Sequence, residues 1–126
     1  MLVLIHEEKL LDVLSEKYLF ERMNEDSAIM YITSTGGIDW NIEDNKDLMN
    51  PIIKAETWEE FVSILKAMHL EKVPGTLGYP FAKWAMNYYV AYVQELFTSK
   101  RIRVNAFLPG STVIGMVDEF EKNGWW

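Results

Sequence analysis

Apolar residues recur at helical spacing through residues 7–23, where Leu10, Leu11, Val13, Leu14, Tyr18, Leu19 and Met23 are separated by charges. This spacing predicts a helix, closed by the polar break Asn24-Glu25-Asp26-Ser27. The run Ala28-Ile29-Met30-Tyr31-Ile32 then shows no alternation, as expected of a short strand buried on both faces. It stops in a turn of small residues, Thr33-Ser34-Thr35-Gly36-Gly37. Residues 38–56 are acidic and show no period, which reads as an irregular segment with Glu43 to Asp47 in a solvated loop. At Thr57 the helical period returns. Trp58, Phe61, Val62, Leu65 and Met68 form its stripe, and Thr57 with Glu60 makes a capping box.

Pro74-Gly75 ends that region, and a third helix is expected over residues 80–98. It is apolar on nearly every side, with Trp84, Met86, Tyr88, Tyr89, Val90, Tyr92, Val93, Leu96 and Phe97. A helix without a wide polar face is covered on two sides. Here one cover is expected from the sheet and the other from a second subunit. A second strand follows over residues 102–108 and stops at Pro109-Gly110, and the tail, 117–126, has a helical pattern. Strand, helix and strand in this order make a parallel α/β unit, right-handed in nearly all known cases.

Composition adds bounds. A chain of 126 residues, 49% hydrophobic and 25% charged, matches one globular domain. Its net charge of −7 disfavours nucleic acid or an anionic membrane as a partner. With no cysteine, there is no disulfide, thiolate zinc site or cysteine nucleophile, and His6 and His69 form no metal-spaced cluster. No apolar run reaches the roughly 20 residues of a membrane span, and the apolar start before His6 is too short for a secretion signal. A cytoplasmic location is therefore expected.

The topology gathers the residues that carry chemistry. Parallel strands place Ser34 and Pro109-Gly110 at carboxyl ends, and the returning helix starts at that same edge with Tyr79 and Lys83. Open α/β sheets bind ligands at this rim. Tyr79 and Lys83 are four residues apart and share a helix face. Tyr79 precedes Pro80 and so is expected at the helix boundary. An ammonium beside a phenol favours its ionised form, so such a tyrosine can exchange a proton with a carbonyl or alcohol oxygen.

Tyr79-Pro80-Phe81-Ala82-Lys83 resembles the Tyr-x-x-x-Lys signature of the short-chain dehydrogenase/reductase family. Ala28-Ile29-Met30-Tyr31-Ile32-Thr33-Ser34 is similar to its strand-and-serine motif. The segment from Arg101 through Arg103-Val104-Asn105 to Pro109-Gly110 looks like its Arg-Val-Asn-x-x-x-Pro-Gly stretch. The resemblance covers about residues 7–120. It implies part of a Rossmann-like, doubly wound parallel sheet, with residues 1–126 the catalytic half of one domain. It also implies hydride transfer between NAD or NADP and an alcohol/carbonyl substrate. In that scheme Tyr79 is the acid or base, Ser34 orients the substrate oxygen, and Lys83 binds the nicotinamide ribose and readies Tyr79. Pro109, Gly110 and Thr112 flank the nicotinamide. The long gap between Ser34 and Tyr79 is similar to the 3α-hydroxysteroid dehydrogenase/carbonyl reductase branch, where residues 38–75 would shape a substrate pocket or subunit contact. Family members associate through the helix bearing Tyr79 and Lys83, so a homo-oligomer through residues 80–98 is implied.

The chain also departs from the family. It has no Thr-Gly-x-x-x-Gly-x-Gly turn to cradle a pyrophosphate, no Asn-Asn-Ala-Gly segment, and Ile114 where a threonine is frequent. The expectation is a fragment without dehydrogenase activity of its own. The rival is a non-catalytic interaction module that pairs through the apolar helix. His69 is expected at a helix C-terminus, and Trp40 and Trp58 in a packed insertion or a hydrophobic pocket.

Overall fold

The computed structural model describes residues 14–69, 75–110 and 122. Strands β1 (Ala28–Ile32) and β2 (Arg103–Phe107) pair in parallel, with Ala28 opposite Arg103 and Ile32 opposite Phe107. The ladder runs past both strand ends. Arg103 N–H donates to Ser27 O at 3.0 Å, Thr33 N–H to Phe107 O at 2.9 Å, and Thr35 N–H to Pro109 O at 3.1 Å. The fold is mixed α/β, and the expected strand–helix–strand core is present as a two-stranded parallel sheet.

A π-helical turn, Leu14–Leu19, precedes β1, and a 3-10 helix, Thr35–Asn41, follows it. Then come α1 (Glu43–Lys54), α2 (Trp58–Ala67), α3 (Gly75–Tyr92) and α4 (Gln94–Thr98). The helix expected through Met23 therefore stops at Leu19; its first half lies outside the described residues, as do Thr112, Ile114 and all of the tail except Lys122. The Lys100 ammonium donates to Phe20 O at 2.7 Å, and Phe20 meets Phe97 edge-on at 5.2 Å, so the leading turn is tied to the end of α4.

The helix expected over residues 80–98 starts earlier and is interrupted at Val93, giving α3 and α4, and three further expectations need correction. The acidic segment read as a loop is the helix α1. Glu43 and Asp44 occupy its first turn and Lys54 its last, each favoured there by the helix dipole. Its period is carried by Met49, Ile52 and Ile53, all buried, and Pro51 within the helix obscures the pattern. Tyr79 is not at the boundary of α3, which starts at Gly75. Pro80 near that start forgoes a single backbone bond, to the Thr76 carbonyl, and the helix continues. The strands are not buried on both faces. Tyr31 and Val104 are buried, while Met30 and Ile32 are each 68% exposed and Phe107 is 57% exposed.

Thr57 caps α2 as expected, but the Glu60 carboxylate returns to the N–H one residue before the cap, so the capping box is only half made. Thr57 Oγ1 accepts from Glu60 N–H at 3.1 Å, and Glu60 Oε2 accepts from Glu56 N–H at 2.9 Å. Phe61 and Leu65 of α2 join Met49, Ile52, Tyr89, Val90 and Phe97 in one core. On its sheet side, α3 places Tyr89 edge-on to Tyr31 at 6.0 Å. On its other side it packs on the 3-10 helix and α1. Trp40 stacks on Tyr88 at 6.0 Å, and the Tyr88 hydroxyl donates to Asn50 Oδ1 at 2.5 Å. The apolarity of α3 is thus largely met within the chain, by residues 35–54.

Candidate functional site

Ser34 leaves β1 in extended backbone (φ −165°, ψ 152°) and caps the 3-10 helix, its Oγ accepting from Gly36 N–H at 3.1 Å. With that oxygen held by a backbone donor, the hydroxyl proton is directed elsewhere and can be given to an external oxygen. Gly36 is also where Tyr79 arrives. A Cβ built on Gly36 would lie 3.3 Å from Tyr79 Cε1 and 3.5 Å from Ser34 Oγ. Both groups border the same point, which places the serine oxygen within about 7 Å of the ring edge.

Lys83, one turn further along α3, holds its ammonium 5.5 Å from the centre of the Tyr79 ring. This is within the range of a cation–π contact. Ser34, Tyr79, Lys83 and Pro109 are half-buried and Gly110 is exposed, so the cluster is reachable from solvent. Pro109 is joined to the Ser34 turn through the Thr35–Pro109 bond, and a Cβ on Gly110 would meet nothing within 4 Å. Five of the residues singled out from sequence therefore converge on one rim; Thr112 lies outside the described residues.

Three contributing residues escaped the sequence reading: Gly36, Gly37 and Asn87. A Cβ on Gly37 would lie 2.5 Å from Lys83 O and 2.6 Å from Asn87 Nδ2, so the turn packs directly on the α3 backbone. The signal was available. Tyr79, Lys83 and Asn87 recur every four residues, a polar line along an otherwise apolar helix.

Elsewhere, a cavity of about 260 Å³ lies against α4 and β2, lined by Gln94, Thr98 and residues 101–105, and shares no residue with the rim. Among the described residues no group of three or more His, Asp or Glu could hold a metal ion, and no helix is long and apolar enough to cross a membrane. His69 follows α2 with a positive φ of 51°. Trp58 is 48% exposed and leans on Phe61.

Comparison with protein-family models, curated proteins and solved structures finds no match for this chain.

Proposed function

We propose that this chain carries the proton-transfer half of an alcohol/carbonyl oxidoreductase of the short-chain type, built on part of a Rossmann-like sheet. The observation that supports this most is the meeting of Ser34 Oγ and the Tyr79 ring at Gly36, from segments far apart in sequence. Ser34 donates a hydrogen bond to the substrate oxygen and orients it, keeping its own proton. Tyr79 delivers a proton to that oxygen in reduction and removes it in oxidation. Lys83 holds a positive charge beside that proton-transfer group, its ammonium 5.5 Å from the centre of the Tyr79 ring. NAD or NADP supplies the hydride when bound. Tyr79 and Lys83, with the open surface at Gly110, suit the nicotinamide ribose end of the cofactor. Among the described residues no glycine-rich strand-to-helix turn suits its pyrophosphate. The cofactor fit is therefore partial.

The test is Tyr79→Phe in a polypeptide that joins this chain to a glycine-rich dinucleotide-binding half. NAD(P)-dependent reduction of a carbonyl panel should fall by about 10²–10⁴-fold, the usual worth of a positioned acid–base group. Turnover unchanged by the substitution would overturn the proposal. The 126-residue chain alone should show no saturable dinucleotide binding by calorimetry.

An interaction module is a second reading, supported by the exposed apolar sheet face of Met30, Ile32 and Phe107. It moves the expected contact from helix 80–98 to the sheet. A monodisperse monomer in light scattering at high concentration would count against self-pairing by either surface.

A further inference from the structure

Asn87 lies one helical turn beyond Lys83 and two beyond Tyr79, and is 4% exposed. Its Nδ2 donates to the Gly37 carbonyl at 2.8 Å, and that acceptor fixes which end of the amide is nitrogen. The other end, Oδ1, is buried with no partner among the described residues. A buried amide with an unmatched acceptor is poorer for stability than an apolar side chain of the same size. Core packing alone therefore does not account for an asparagine here. What Nδ2 holds is the glycine next to Gly36, where a Cβ would lie 2.5 Å from the Lys83 carbonyl oxygen of α3.

We propose that Asn87 is a positioning residue, whose amide clamps the Ser34 turn onto α3 and so sets the distance from Ser34 to Tyr79. Gly37 lets the two backbones meet, and the Asn87 bond stops them sliding. The clamp is a statement about geometry; its importance for proton transfer rests on the function proposed above. Without it the turn is held on this side only by contact, and the serine hydroxyl drifts from the phenol.

The test is nuclear magnetic resonance on the labelled chain. In the parent protein the Asn87 side-chain amide protons should be protected from exchange and show a cross-peak to Gly37 Hα. Ser34 Hβ should show one to Tyr79 Hε. Fast-exchanging Asn87 amide protons would overturn the clamp without any variant. In Asn87→Leu, which keeps the number of side-chain heavy atoms and removes the donor, the Ser34–Tyr79 cross-peak should vanish. Amide exchange over residues 35–41 should rise about tenfold, while the β1–β2 ladder is unchanged. A retained cross-peak with unchanged exchange would also overturn it. In the joined, dinucleotide-binding polypeptide, Asn87→Leu should lower kcat by about a hundredfold with KM little changed, since a small misplacement acts on the chemical step. The two proposals fail separately: turnover indifferent to Tyr79→Phe sinks the function, and a Ser34–Tyr79 cross-peak indifferent to Asn87→Leu sinks the clamp.

Discussion

On the sheet face toward α3, Tyr31 and Val104 are buried and Ile29 and Ala106 half-buried. On the opposite face Met30, Ile32 and Phe107 stand 57–68% exposed, with Ile32 and Phe107 side by side in the register. On β1 the open face (Ala28, Met30, Ile32) is as apolar as the closed one, whereas β2 turns Arg103 and Asn105 outward beside Phe107. Parallel strands are ordinarily covered on both faces, and local sequence records that demand without recording whether it is met. Here α3 meets it on one side, and the other keeps an apolar surface of the kind that marks association.

The largest expected effect lies on the closed side. Tyr89→Ala removes a ring that is 1% exposed and meets Tyr31 edge-on. It should lower stability by about 3–5 kcal/mol in urea unfolding. A loss under 1 kcal/mol would mean that α3 does not close the sheet. Gly37→Ala comes next. Its Cβ would sit 2.5 Å from the Lys83 carbonyl oxygen, and relief of that clash should cost about 1–3 kcal/mol. Gly36→Ala, meeting Tyr79 Cε1 at 3.3 Å, should cost less and displace the ring, which the Tyr79 ring resonances would report.

Thr57→Ala, away from either face, should cost about 1 kcal/mol through loss of its bond to Glu60 N–H. On the open face, Met30→Ser with Ile32→Ser should change the unfolding free energy by no more than about 0.5 kcal/mol. The same pair should reduce self-association in sedimentation. Strong destabilisation by this pair would show the open face to be covered in solution. The smallest effect belongs to Lys46, whose hydrogen bond to Glu43 at 2.7 Å raises its pKa above the ordinary lysine value. A raised lysine stabilises below its unfolded pKa and loses that contribution as pH rises through the folded one. Lys46→Gln should therefore show a slight deficit in urea midpoint at neutral pH that disappears in strong alkali.

Much of the rim was legible in the sequence because its signals are local. A five-residue apolar run ends two residues before Ser34, a second strand leads into Pro109-Gly110, and a helix between them brings Tyr79 and Lys83 back to the same edge. Connectivity does the rest, since parallel strands and a returning helix leave one arrangement for these ends. Helix α1 was hidden because Pro51 and a charged first turn mask a period carried by only Met49, Ile52 and Ile53. Asn87 and Gly37 were missed because their meaning lies in one contact across the fold.

The sequence by itself determined the two strands, the capped start of α2 and the shared edge of Ser34, Tyr79 and Lys83, since period, capping and chain direction are written in neighbouring residues. Only the tertiary structure decided which sheet face is closed, that α3 is covered by residues 35–54 of its own chain, and how closely the Ser34 turn approaches Tyr79. Those outcomes depend on distances between segments remote in sequence, and packing against a partner segment sets such distances.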